Sequence, residues 1–170
     1  MADLVTHMAT GLLFKAGTRG PYTAALVAGT VLPDLGARVP AIGFSALAKS
    51  GVPIAPEIPY AFEVLHMPLG MVILSLLIAC FFTEEQRVGV FFNLLGGCLL
   101  HLALDLTQDH LGVGYLLGFP FTTADFEFGW MSTEATVLWA PLFAVVAVVA
   151  WRKRLGPVRR DLQEDTPAPL

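Results

Sequence analysis

The chain has 170 residues, 55% of them hydrophobic and 14% charged, with a mean hydropathy of +0.68 and a formal net charge of −4. A soluble domain carries about 25% charged residues, so this composition argues against an ordinary water-soluble domain and for an integral membrane protein. The acidic balance and the lack of a basic patch argue against nucleic acid as a partner.

The first helix is expected over Asp3–Ala16 and the second over Pro21–Leu32, with Gly17-Thr18-Arg19-Gly20-Pro21 as the turn and Pro21 as a first-turn proline. Each has about 14 residues, or roughly 21 Å at 1.5 Å per residue. That is short for a crossing and suits a tilted pair or a re-entrant hairpin shielded by other helices. Asp3 and Lys15 argue against a cleaved signal at this end. Leu35–Tyr60 reads as a loop, punctuated by Gly36, Pro40, Gly43, Gly51, Pro53, Pro56 and Pro59, with room for a short surface helix over Ala41–Lys49.

Three runs free of Asp, Glu, Lys and Arg follow: Met67–Phe82, Val88–Leu104 and Ala135–Trp151. With their flanks each reaches roughly 20 residues, enough to cross about 30 Å of hydrocarbon. The third helix is therefore expected over Tyr60–Phe82 and the fifth over Thr133–Arg152. Between them lies the fourth, Glu84–Leu106, whose acidic start follows Thr83. Gln108–Trp130, rich in glycine and aromatics, suits an interfacial loop. The expected architecture is an all-α membrane bundle of about five helices. It forms one embedded domain over 1–154, with a disordered cytoplasmic tail over 155–170. Cys80 and Cys98 fall at different depths on consecutive helices, which predicts two buried thiols and no disulfide.

Basic residues set the expected orientation. Arg152, Lys153, Arg154, Arg159 and Arg160 follow the fifth helix and mark its end as cytoplasmic. Alternation then places Arg87, Lys15 and Arg19 on the same side and leaves Arg38 and Lys49 outside, with the N-terminus external.

That topology brings five polar residues to one level near the external face. His7 lies near the start of the first helix, Asp34 at the end of the second, His66 early in the third, and His101 and Asp105 near the end of the fourth. His101 and Asp105 are four residues apart and share a helix face. Ionisable groups inside a membrane segment are costly and mark functional sites. Three imidazoles and two carboxylates form a suitable ligand set for one or two divalent ions, Zn²⁺ first and Mn²⁺ or Fe²⁺ as alternatives. Gly11, Gly70 and Gly97 stand one turn from the three histidines and allow close helix approach. The stripe Asn93, Gly97, His101, Asp105, Asp109 is expected to face the site. The simpler alternative for each residue is a buried hydrogen bond between helices or a solvated interfacial group. His110 reads as a loop residue, and Glu63 as an interfacial charge one turn before His66.

Four segments carry a family resemblance: Thr6-His7-Met8-Ala9-Thr10-Gly11, Leu32-Pro33-Asp34-Leu35, Leu65-His66-Met67-Pro68-Leu69-Gly70 and His101-Leu102-Ala103-Leu104-Asp105-Leu106-Thr107. In this order they resemble the motifs of the membrane-bound metal-dependent hydrolases, a bacterial and archaeal inner-membrane group that includes LexA-regulated members. The likeness covers about residues 5–125, including Gly118-Phe119-Pro120-Phe121. Gly36 and Met67 stand where members of that group often have Asp and Ser. The order of His, Asp, His and His-x-x-x-Asp, followed by His110, is also distantly similar to the ligand order of zinc-dependent phospholipase C and the S1-P1 nucleases, whose later His-x-x-x-Glu pair has no counterpart here. These resemblances imply a metal site at His7, Asp34, His66, His101 and Asp105. They imply hydrolysis of a phosphoester or other bond in a lipid-like substrate, with Asp34 as the candidate base. A non-catalytic membrane protein with a structural metal is the alternative. A transporter is disfavoured by the apolar inner halves of the third and fifth helices.

Overall fold

The computed structural model describes residues 3–18, 20–55, 57–109 and 114–164. Among these, α-helices run in the order α1 Leu4–Gly17, α2 Thr23–Gly29, α3 Leu32–Lys49, α4 Glu57–Glu63, α5 Pro68–Ala79, α6 Glu84–Leu106 and α7 Thr133–Glu164. A 3₁₀ turn, Val64–His66, joins α4 to α5. Two short strands, β1 Gln108–Asp109 and β2 Met131–Ser132, pair in parallel at either end of the α6–α7 connection.

The helical class agrees with the expectation from sequence, and by length and composition two or three membrane spans are supported. Among the described residues two stretches, Glu84–Leu106 and Ala135–Arg154, are long and apolar enough to cross a membrane alone. α2 and α3 meet at a 43° bend and together would make a third span. This is compatible with a membrane location.

Four boundaries are corrected. Leu35–Tyr60 is not a single loop: α3 continues to Lys49 through Pro40 and takes in the Ala41–Lys49 stretch expected to have room for a helix, and residues 50–55 are irregular. Pro33 fits the first turn, where its missing N–H costs nothing, and Arg38 bonds Asp34 one turn back. Gly36 leaves room for Leu65 and Leu74, so this face of α3 packs although its composition is turn-like. The expected third helix is broken. A residue before proline avoids helical backbone, and Met67, before Pro68, is extended at φ −97° and ψ 155°. The chain turns there, and Gly70 lets α5 fold back against the Val64 carbonyl. Pro21 does not open α2, which starts at Thr23 after Tyr22 adopts a left-handed conformation. At the other end of the chain, the α7 backbone remains helical through Glu164, past the expected start of a disordered tail at Leu155. Residues 165–170 of that tail, Arg19 and His110 lie outside the described residues.

α6 is the central element. Its buried residues, Val90, Leu94, Gly97, Cys98, His101, Leu102 and Asp105, recur at three- and four-residue steps along one stripe. Met71, Cys98 and Leu102 form one core cluster, and Ala79, Val90 and Leu94 another. Cys98 is buried as expected, whereas Cys80 at the end of α5 is exposed; both are free thiols. α2 meets α6 backbone to backbone. A Cβ on Gly97 would strike the Leu26 carbonyl and lie 2.8 Å from the Gly29 Cα; one on Gly29 would strike the Leu94 carbonyl. Glycine at both positions is what permits this contact. Near the Glu84 end of α6, Lys15 is buried and its Nζ donates to Asn93 Oδ1 at 2.9 Å, while Arg154 donates to the Lys15 carbonyl. These bonds tie α1 to α6 and α7.

Candidate metal centre

Four breaks or caps in the helices bring the site together. Asp3 caps α1, accepting from the Thr6 N–H at 3.0 Å and the Thr6 hydroxyl at 2.8 Å, and so fixes the turn that carries His7. Between α2 and α3 the chain leaves the helical ladder at Thr30. The Thr30 carbonyl lies 2.8 Å from His101 Nδ1. Just beyond, the first turn of α3 presents Asp34. The proline-induced kink at Met67 leaves His66 at the end of the 3₁₀ turn, on the buried side. α6 supplies His101 and Asp105. Its last carbonyls would be unsatisfied at the helix end, but the returning chain meets them: Phe128 N–H donates to Leu106 O at 2.7 Å, and Trp130 N–H donates to Thr107 O at 2.9 Å. That return, together with the paired backbone bonds between Tyr115 and Phe126, holds Tyr115 against the site.

All five residues anticipated from the sequence meet. Three Nε2 atoms and both carboxylates converge. His66 Nε2 lies 2.8 Å from His101 Nε2. Asp105 Oδ2 is 3.3 Å from His101 Nε2 and 3.5 Å from His66 Nε2, and Asp105 Oδ1 is 3.2 Å from His7 Nε2. Asp34 Oδ1 is 3.5 Å from His66 Nε2, and Asp34 Oδ2 is 4.0 Å from His7 Nε2. The His7 and His101 rings stack at 3.8 Å between centroids. Two groups of three could each hold an ion: His7, His101 and Asp105, and Asp34, His66 and His101.

The hydrogen-bond pattern fits a cation. A carbonyl only accepts, so His101 Nδ1 carries the proton that bonds Thr30 O, and in the neutral ring Nε2 presents a lone pair inward. This is how a metal-ligating histidine is normally oriented by its neighbours. Nε2 then faces Asp105 Oδ2 and His66 Nε2, an acceptor-rich surrounding that is repulsive without a shared proton or a metal ion. The separations match as well: ligands about 2.1 Å from a zinc ion stand about 3.4 Å apart at tetrahedral angles.

Four neighbours were missed in the sequence. Tyr115 donates its hydroxyl to Asp105 Oδ2 at 2.8 Å and stacks on His66 at 5.2 Å between centroids. Burial and then the Asp105 charge push its phenol well above the ordinary tyrosine range, so it stays a donor. Gln108 is fully buried, with Nε2 3.5 Å from Asp105 Oδ1. Arg38 Nε sits 2.8 Å from Asp34 Oδ1. Thr30 contributes only its backbone. The Arg38 spacing from Asp34 would have been legible had Gly36 and Pro40 not suggested a loop, and Gln108 lies one turn beyond Asp105. Tyr115 and Thr30 carry no periodic signal. Asp109, by contrast, does not extend the α6 stripe. The helix ends at Leu106, and Asp109 is exposed in β1. Glu63 is also exposed and lines a cleft beside His66.

No family model, curated protein or solved structure matches this chain. The centre is therefore read from its own residues and distances.

Proposed function

We propose that the protein is a membrane-embedded metal-dependent hydrolase acting on a phosphoester, or a similar bond, in a lipid-like substrate. The observation that carries this reading is the convergence of His7, His66 and His101 Nε2 with Asp34 and Asp105 beside an open cleft, of which His66 forms part of the wall. Imidazole and carboxylate donors suit Zn²⁺, with Mn²⁺ or Fe²⁺ as alternatives. Held by His7, Asp34, His66, His101 and Asp105, such an ion would supply a water of lowered pKa and polarise the bond to be cut.

The chain's own residues have separable roles. Thr30 orients His101 through Nδ1, leaving Nε2 to bind. Tyr115 and Gln108 fix the two oxygens of Asp105. Asp34, held at Oδ1 by Arg38, offers Oδ2 to accept the proton of an attacking water. That proton passes to the leaving alcohol as the water oxygen joins phosphorus.

A bacterial or archaeal plasma membrane, with the N-terminus outside and the basic end of α7 in the cytoplasm, follows from the distribution of Lys and Arg and from the family resemblance. The centre then lies towards the external leaflet. Cysteines introduced in place of Leu35 and Leu106 test this. Labelling by an impermeant reagent from outside is the expected result, and labelling only from the cytosol contradicts the orientation.

A second reading, a metal held for structure alone, is favoured by the depth of one triad: His7, His101 and Asp105 are 0%, 1% and 0% exposed. Activity separates the two. Chelated protein, tested in detergent micelles with a short-chain phosphodiester amphiphile, should regain hydrolysis when Zn²⁺ or Mn²⁺ is restored, and His66→Ala should not. Metal bound tightly without any hydrolysis would support the structural role.

A further inference from the structure

The two oxygens of Asp105 have unequally satisfied neighbours. Oδ2 accepts the Tyr115 hydroxyl at 2.8 Å and faces His66 and His101. Oδ1 faces His7 Nε2 at 3.2 Å and the Gln108 amide at 3.5 Å. Three buried atoms of these two neighbours, His7 Nδ1, His7 Nε2 and Gln108 Oε1, have no hydrogen-bond partner among the described residues. Buried polar atoms are nearly always paired, so unpaired ones gathered at one carboxylate oxygen mark the place of an ion or a water.

Gln108 is fully buried where α6 gives way to β1, and the pairing of β1 with β2 fixes its backbone opposite Met131. Its amide is poorly served by nitrogen alone. At 3.5 Å the bond from Nε2 to Asp105 is long, and it leaves the Oε1 lone pairs buried without a donor. The last torsion of a glutamine is broad and nearly two-fold, so the amide can turn and offer Oε1 where Nε2 stands. An oxygen there is repelled by Oδ1 on its own, yet it has the spacing of a co-ligand. Donors about 2.1 Å from a zinc ion stand roughly 3.4 Å apart.

We propose that Gln108 is a sixth ligand of the centre, its Oε1 binding a divalent cation together with Asp105 Oδ1 and His7 Nε2. With the ion bound, Gln108 holds Oδ1 through the shared cation. A carbonyl oxygen is a hard donor, and adding one to imidazole and carboxylate raises the standing of Mn²⁺ against Zn²⁺. The inference rests on the metal centre in the reading above and not on the reaction assigned to it.

The test is metal affinity rather than turnover. Full-length protein in maltoside micelles competes with an indicator chelator for Zn²⁺ and for Mn²⁺, and melting temperatures are taken with and without the ion. Gln108→Leu removes both amide atoms and should weaken binding at least about tenfold, the loss seen even for partners one step removed from an ion. Gln108→Glu decides between the two ends of the amide. It keeps an oxygen donor and loses the N–H, so a ligand role predicts affinity equal to or above that of the wild type. A role confined to donating to Asp105 predicts a fall like that of Gln108→Leu, because two carboxylates then face each other. If Gln108→Glu melts early, added Zn²⁺ or Mn²⁺ should restore it. Unchanged affinity in Gln108→Leu, a fall in Gln108→Glu, or an early melt that neither ion repairs overturns the proposal. A wild type that binds neither ion removes the centre and this ligand with it. Metal binding without hydrolysis defeats the hydrolase reading alone.

Discussion

Among the described residues, α6 and the Ala135–Arg154 stretch of α7 are the two helices long and apolar enough to span a membrane alone, with similar mean hydropathies of 1.6 and 1.8, yet they do different work. In α6, 39% of the apolar window is buried inside the protein; in α7 only 17% is. α6 carries His101 and Asp105 on the same stripe as Gly97 and Cys98. α7 turns Leu138, Trp139 and Val145 outwards and contributes none of the five site residues. Hydropathy thus identifies what can enter a bilayer, but the polar and small residues set among the apolar ones identify which helix is organised around chemistry.

Substitutions on the two helices should therefore have unequal effects. The largest is expected for Gly97→Leu. Its side chain would collide with the Leu26 carbonyl and the Gly29 Cα, part α2 from α6 and move Thr30 away from His101. Overpacking of this kind costs about 3 kcal/mol. Thermal unfolding in detergent should show a clear fall in melting temperature together with loss of bound metal. An unchanged melting temperature would mean that the α2–α6 contact is looser than described.

Tyr115→Phe comes next. It removes the hydroxyl that donates to Asp105 Oδ2 and keeps the ring that stacks on His66. Loss of such an outer partner lowers metal affinity about 10- to 100-fold, which competition with a chromogenic chelator would measure. Affinity equal to the wild type would remove Tyr115 from the site's support. Leu138→Ala on α7 should have the smallest effect. At 79% exposure the side chain packs little against the protein, and a change within about 0.5 kcal/mol is expected, with metal content unaltered. A strong effect there would show that α7 has a protein partner in the membrane.

What could be read from the sequence follows the same division. Each of the three histidines stands one turn from a glycine within or beside apolar sequence, and His101–Asp105 has helical spacing, so the residues that converge are legible before any contact is known. α6 was delimited correctly because an acidic cap and a turn bound a long apolar run. The residues around Pro40 and Pro68 misled in opposite directions. Pro40 suggests a loop where α3 is continuous. Pro68 was read as part of a single span where it breaks one. The break before Pro68 follows from a local rule, since the residue before a proline avoids helical backbone, whereas the continuity of α3 through Pro40 is not contained in the local pattern. Tyr115 and the Thr30 carbonyl reach the centre through a returning connection and a bent helix pair, and neither has a spacing that sequence could reveal.

Metal analysis of purified protein by mass spectrometry, alongside His101→Ala and Asp34→Ala, tests the central claim most directly. One or two equivalents of a divalent transition metal in the wild type, lost from His101→Ala and reduced in Asp34→Ala while both variants remain folded, is the predicted result. Metal content unchanged in both folded variants would contradict the centre.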